Sequence, residues 1–128
     1  MLLTAAITIL ALTGARPAGL PQDDLAPTVR RIAATTALAA QEYGIGVTGG
    51  KIVAAGEVEE ARLFLTEARR TAGLLPPDAG RAATVDIDRL IALVDRTASP
   101  DTVALYARQL GESLAARFSV ALDDIPTI

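Results

Sequence analysis

The chain has 128 residues with no cysteine and no histidine, which excludes disulfides, thiolate nucleophiles, zinc fingers and any Ser-His-Asp triad. Apolar residues make up 51% of the chain and aromatic residues 3%, and 26 positions are alanine. The net charge of −3 and the scarcity of rings for base stacking argue against a nucleic-acid partner. These features predict one small, acidic, helical domain.

Residues 1–18 are predicted to be a secretory signal peptide. The stretch Met1–Thr13 carries no charge and is shorter than the ~20 apolar residues of a membrane-spanning helix. Small residues around Gly14 fit a cleavage site, although no basic residue precedes Arg16. The alternative is a buried N-terminal helix. We expect a periplasmic or otherwise exported protein that meets the membrane only through a partner.

Residues 19–120 are predicted to form an all-α domain, a four-helix up-down bundle. Apolar residues spaced three and four apart predict a first helix from Pro27 to Tyr43, after a linker over 16–26. Three further helices are predicted over 56–72, 85–98 and 100–118, and a proline-rich loop is predicted over 76–80. The apolar positions of each predicted helix form one stripe that is expected to face the core. Three aromatic residues fall on these stripes, namely Tyr43, Phe64 and Tyr106.

A glycine-rich excursion is predicted between the first two helices. Gly44 is expected to end the first helix, and residues 45–53 then form a short extended excursion with Gly49-Gly50 as its turn. Although Lys51 follows these glycines, the next residue is Ile52 rather than serine or threonine, so the segment is not a phosphate-binding P-loop.

The densest acidic cluster opens the second helix and contains Glu57, Glu59 and Glu60, with Glu67 two turns later. Without histidine and cysteine, a metal site must use carboxylates and carbonyls, which suit hard ions or iron. Glu57 and Glu60 are three apart and therefore project from one side of the helix. The alternative is that these acids complement the helix dipole and face water. Glu42, on the first helix, is expected either to pair with Lys51 or to face water.

Residues 42–68 carry a recognisable pattern. The acidic-aromatic pair Glu42-Tyr43 is followed by the glycine-containing loop 49–53 and by a glutamate-rich helix that includes Glu60-Ala61 and Phe64-Leu65. This stretch resembles the exported N-terminal helical domain of bacterial iron permease family proteins, the oxidase-dependent high-affinity iron transporter type. That domain often precedes a cytochrome c module or the permease itself.

The resemblance implies a role in iron uptake outside the cytoplasmic membrane, with an iron permease or a cytochrome c module as partner. It makes three carboxylates candidates for binding or relaying iron, those of Glu57, Glu60 and Glu42. The chain lacks C-x-x-C-H, so no covalently bound haem is expected and iron is the only metal implied. The chain also lacks the membrane helices of the permease, which implies an accessory domain, with residues 121–128 as a linker or truncated junction.

The predicted function is therefore that of a non-enzymatic accessory bundle, because no pair of titratable groups is recognisable as a catalytic acid and base. The alternative is an interaction or spacer bundle without a metal role, which packs on a partner or on its own copy. Leu38 favours this alternative because it falls opposite the inward stripe of the first helix and is expected to be exposed in a monomer.

Overall fold

Residues 22–122 are described by a computed structural model of the chain, and they form a four-helix bundle. The helices and the two short strands are α1 (Gln22–Gly46), β1 (Val47–Thr48), β2 (Lys51–Ile52), α2 (Ala55–Ala72), α3 (Pro77–Asp95) and α4 (Pro100–Phe118). Helix α1 packs against α2 and α4, and α3 packs against the same two helices, so the bundle closes into a ring. Because the connections are short, successive helices run in opposite directions, as the predicted up-down topology requires.

The predicted signal peptide, residues 1–18, and residues 123–128 of the predicted linker lie outside the described residues. Within residues 22–122, no helix combines the length and the apolar character that crossing a membrane requires.

The core is built from many small and medium-sized side chains. Tyr43 is the largest fully buried residue, and its hydroxyl donates a hydrogen bond to the carbonyl oxygen of Ala98, which ties the end of α1 to the α3–α4 connection. Thr36 is also buried, and its hydroxyl contacts the carbonyl oxygens of Ile32 and Ala33 one turn earlier. Among the described residues, no buried side-chain nitrogen or oxygen lacks a hydrogen-bond partner, as expected for a well-ordered interior.

Two predicted helix boundaries are wrong, and proline explains both. Helix α1 begins at Gln22 rather than at Pro27, because Pro27 removes one backbone hydrogen bond without ending the helix and Leu25 is buried on the same stripe. Helix α3 begins at Pro77 rather than near residue 85. Proline is favoured at the first helical position, so the segment 76–80 is largely the first turn of a helix rather than a loop.

The predicted positions of two side chains also differ from the structure. Tyr106 lies at the edge of the buried face of α4 and is exposed, whereas Tyr43 is in the core and Phe64 packs half-buried against it. Leu38 is half-buried rather than exposed. Its partial burial no longer favours an open docking face at this position of α1.

The excursion between α1 and α2 is a minimal β-hairpin. Its strands are antiparallel, with Val47 opposite Ile52 and Thr48 opposite Lys51. The turn residues Gly49 and Gly50 have φ values of 57° and 76°, and a two-residue turn with two positive φ values favours glycine at both positions. The hairpin reverses the chain within a few residues and brings the start of α2 beside the end of α1.

Gly46 allows the two helices to approach closely at this end. Its carbonyl oxygen accepts hydrogen bonds from the backbone N–H groups of Val53 and Ala54, at 2.8 and 3.2 Å. A Cβ atom placed on Gly46 would lie 2.7 Å from Cγ2 of Val58 and 2.9 Å from the carbonyl oxygen of Ala54. Only a residue without a side chain therefore fits at this point.

Gly46→Ala should lower the free energy of unfolding by about 1–3 kcal/mol, because the added methyl group forces α1 and α2 apart. Gly44→Ala is the matched control, since a Cβ at that position meets nothing within 4 Å. It should raise stability by about 0.5–1 kcal/mol through the lower helix propensity of glycine. Urea unfolding followed by circular dichroism measures both changes, and equal effects of the two substitutions would contradict the close approach.

Candidate metal centre

Three carboxylates meet at the end of the bundle where the hairpin joins α1 to α2. Glu42 comes from the last turns of α1, and Glu57 and Glu60 come from the first turns of α2. One carboxylate oxygen from each residue lies within 4.8 Å of those from the other two. We call Glu42, Glu57 and Glu60 the carboxylate cluster. Glu42 and Glu57 are half-buried and Glu60 is exposed, so the cluster opens to solvent on one side.

No basic side chain neutralises the carboxylate cluster within the described part of the chain. Most other described acids have an arginine partner, and the ion pairs are Glu59–Arg62, Asp95–Arg62, Asp88–Arg69, Glu67–Arg70, Asp78–Arg81 and Asp86–Arg89. Lys51, in the adjacent hairpin, is exposed and forms no ion pair with any described residue. The cluster therefore concentrates negative charge at one point of the surface.

The neighbouring carboxyl groups raise the pKa of Glu42 above its usual value. The largest cause is the hydrogen bond between the carboxyl groups of Glu42 and Glu57, which requires a shared proton. Partial burial and the charges of Glu57 and Glu60 raise the pKa further, since both disfavour a third negative charge. A bound cation would relieve the same repulsion, because it takes the place of the proton between the carboxylates.

The chemistry of the donor set is that of a hard cation site. Carboxylate oxygens are the ligands preferred by magnesium, calcium and manganese, and they also bind iron. Glu60 is exposed, so an ion held by the cluster would keep coordination positions open toward solvent. Such an arrangement suits reversible binding of an ion better than its permanent enclosure.

The structure brings together all three of the predicted ligands, although the sequence had left the direction of Glu42 open. Glu42 neither pairs with Lys51 nor faces water alone, because it points toward α2. Glu59 and Glu67 from the same acidic segment lie apart from the cluster, in ion pairs with Arg62 and Arg70. The binding of a metal by the cluster stays a prediction.

Gly46 is the residue of this site that sequence reasoning missed. The sequence pattern places Gly46 in the predicted excursion over 45–53, whereas it is the last residue of α1 and the contact point with Val58. Its role depends on which helix crosses it, and a single sequence gives no signal for that. The hairpin turn, in contrast, was predictable from Gly49-Gly50.

Fold and site together define a small helical bundle with an uncompensated carboxylate cluster at one end. The family model of the iron permease-associated 4-helix bundle domain matches residues 21–121, and the chain belongs to this family. The match confirms the resemblance drawn from residues 42–68 and indicates an accessory role in iron uptake. No curated protein and no solved structure matches the chain.

Glu42→Gln should stabilise the fold at pH 7. The folded protein raises the pKa of Glu42 above the usual 4.5, so the protonated carboxyl group of Glu42 stabilises the fold at low pH. This stabilisation is lost as the pH rises through the pKa that Glu42 has in the folded protein. Glutamine removes the repulsion, so the melting temperature should rise at pH 7 and change little at pH 4.

Thermal melts followed by circular dichroism test this expectation. Glu112→Gln is the matched control, since Glu112 is exposed and forms no ion pair with the described residues. An equal gain in the control, or a loss of stability in Glu42→Gln at pH 7, would show that the cluster is not electrostatically strained.

Proposed function

We propose that the protein is an exported, periplasmic accessory domain that binds iron through the carboxylate cluster and passes it to an iron permease or a cytochrome c module. The domain performs no catalysis of its own in this proposal. The observation that carries it is the convergence of Glu42, Glu57 and Glu60 within 4.8 Å without a basic partner, in a chain that belongs to an iron permease-associated family. Iron is the cargo of the site rather than a resident cofactor.

The charge distribution supports binding at this point rather than at the other acids. Elsewhere in residues 22–122, most carboxylates already have an arginine within hydrogen-bonding distance, so a cation would have to displace that partner. At the carboxylate cluster, a cation displaces only water or a shared proton. The free-energy cost of binding a cation is therefore lowest at the carboxylate cluster, which also offers the largest number of ligands.

The open side of the cluster supports transfer. An ion bound by three side chains at the surface can exchange ligands with an acceptor without any movement of the bundle, because its outer coordination positions face solvent. Glu60 is exposed and forms the outer edge of the site. We propose that it is the first ligand to contact incoming iron.

Calorimetric titration of the chain with ferrous iron under nitrogen, and with ferric citrate, tests this proposal. We expect saturable binding of about one iron per chain, since three carboxylates fit one hard ion. Glu57→Gln with Glu60→Gln should weaken binding at least ~10-fold, equivalent to ~1.4 kcal/mol, and adding Glu42→Gln should abolish it. Magnesium and calcium serve as competing ions.

The matched control is the double variant Glu67→Gln with Glu112→Gln, which also removes two negative charges but leaves the carboxylate cluster intact. Its iron affinity should equal that of the unmodified chain. Two results would overturn the proposal: iron binding no tighter than magnesium binding, or equal losses of affinity in the two double variants. Either would favour the interaction or spacer bundle as the function.

A further inference from the structure

The chain turns back along the bundle after α4 ends. Ser119 has a φ of 54°, a left-handed conformation that terminates the helix and reverses the chain. The N–H group of Val120 then donates a hydrogen bond of 2.8 Å to the carbonyl oxygen of Ala115, and the Val120 side chain packs against the core. Residues 119–122 therefore lie against the bundle, and we call them the return segment.

The return segment lies in the groove between α1 and α4, which we call the α1–α4 seam. The side chain of Arg30 on α1 donates a hydrogen bond of 3.0 Å to the carbonyl oxygen of Ala121. A Cβ atom placed on Gly111 of α4 would lie 3.9 Å from Cδ1 of Leu122 and 3.1 Å from Cβ of Ala33 on α1. Both helices thus line the path of the return segment, and their small residues leave room for Leu122.

The return segment is extended and runs toward the hairpin end of the bundle. Its odd-numbered residues are exposed, whereas Val120 and Leu122 are half-buried, and this alternation is typical of an extended chain. Val120 lies at Ala115 and Leu122 lies at Gly111, four residues earlier on α4. Four residues of helix rise by about 6 Å, which is close to the advance of two extended residues, about 6.6 Å.

The next step of the same size leads from Leu122 to Arg108. Arg108 lies three residues before Gly111 and seven before Ala115, so it shares the side of α4 that the return segment contacts. It is exposed and forms no ion pair with any residue that the structure describes. Asp124 follows Leu122 by two residues and therefore faces the same side in an extended chain. Opposite charges would meet at this point.

The sequence after the return segment favours an extended path. Pro126 restricts Ile125 to extended conformations, and it has no N–H group that would need a partner in the α1–α4 seam. The next residues along the seam are small. Ala104 lies seven residues before Gly111 on α4, and Ala37 lies on α1; both are half-buried. The groove therefore has room for the ring of Pro126.

We infer that residues 123–128 continue along the α1–α4 seam as an extended strap, with Asp124 paired to Arg108 and Pro126 beside Ala104. The occupant of the seam is thus a segment of this same chain, and the return segment is its anchored beginning. The strap takes the place of the linker predicted for these residues. It also joins α1 to α4 over a greater length than the return segment alone. The inference does not depend on iron binding.

Disulfide trapping in the full chain tests the inference, because the protein has no cysteine of its own. Pro126→Cys with Ala104→Cys brings two thiols within bonding distance when the strap lies in the seam. The matched control is Pro126→Cys with Gln109→Cys. Gln109 is exposed on the side of α4 that faces α3, and it is nearer in sequence to Gly111, so a free segment would reach it at least as readily.

The two cysteine pairs are compared in a glutathione redox buffer at low protein concentration. The effective concentration of one thiol for the other should be at least ~10-fold higher in the pair with Ala104→Cys than in the control pair. Equal values would overturn the inference and would show that residues 123–128 do not occupy the seam.

A charge swap tests the position of Asp124 in the strap. Added to the pair with Ala104→Cys, Arg108→Glu should lower the effective concentration at least ~2-fold, since it replaces an attraction by a repulsion. Further addition of Asp124→Arg should restore it. Asp123→Arg is the matched control, because neighbouring residues of an extended chain point to opposite sides, and it should restore less. Equal restoration by the two variants would overturn the inferred pairing.

Thermal melts of the reduced variants establish whether the bundle is intact. If Ala104→Cys unfolds the protein, Ala37→Cys with Pro126→Cys gives the same test from α1, because Ala37 follows Ala33 by one turn. The iron titration measures the carboxylate cluster and not the seam, so the proposed function and this inference stand or fall separately.

Discussion

The close contact between the end of α1 and the start of α2 is the constraint on which the rest of this molecule depends. A two-residue glycine turn reverses the chain, and Gly46 leaves no side chain where Val58 arrives. The same contact sets the spacing of Glu42 from Glu57 and Glu60, which belong to different helices. The chain reversal between α1 and α2 therefore also brings the three carboxylates together. Gly46 is required for the packing of the two helices, and this packing positions the carboxylate cluster.

The surface ion pairs contribute little to stability and neutralise acids that lie outside the carboxylate cluster. Pairs such as Arg62 with Asp95 and Arg69 with Asp88 connect α2 to α3, yet exposed pairs of this kind contribute at most about 1 kcal/mol each. Their larger effect is electrostatic, because they neutralise acids away from the carboxylate cluster. Three carboxylates without an arginine partner therefore meet at one end of the bundle, whereas most other described acids are paired. The buried aliphatic core supplies the stability that allows this local repulsion to persist.

Sequence periodicity predicts the helices and most of the core, because a helix must bury one stripe regardless of its neighbours. Periodicity does not predict features that depend on packing against a neighbouring helix. Gly80 is typical of a loop in the sequence, yet it lies in the first turn of α3, where a Cβ atom would lie 2.9 Å from the carbonyl oxygen of Ala72. The direction of Glu42 depends on which side of α1 is covered by α2. Spacing along one helix therefore predicted Glu57 and Glu60 as neighbours, but their meeting with Glu42 is a tertiary property.

The contact between Arg30 and the carbonyl oxygen of Ala121, at 3.0 Å, fixes the path of the chain after α4. Arg30 and Glu42 are twelve residues apart on α1, a helical rise of about 18 Å, so the contact with Ala121 lies well away from the carboxylate cluster. Gln22, where α1 begins, lies about 30 Å from Glu42 on the same measure. The described residues Gln22 and Ala121 therefore both lie far along the bundle from the carboxylate cluster.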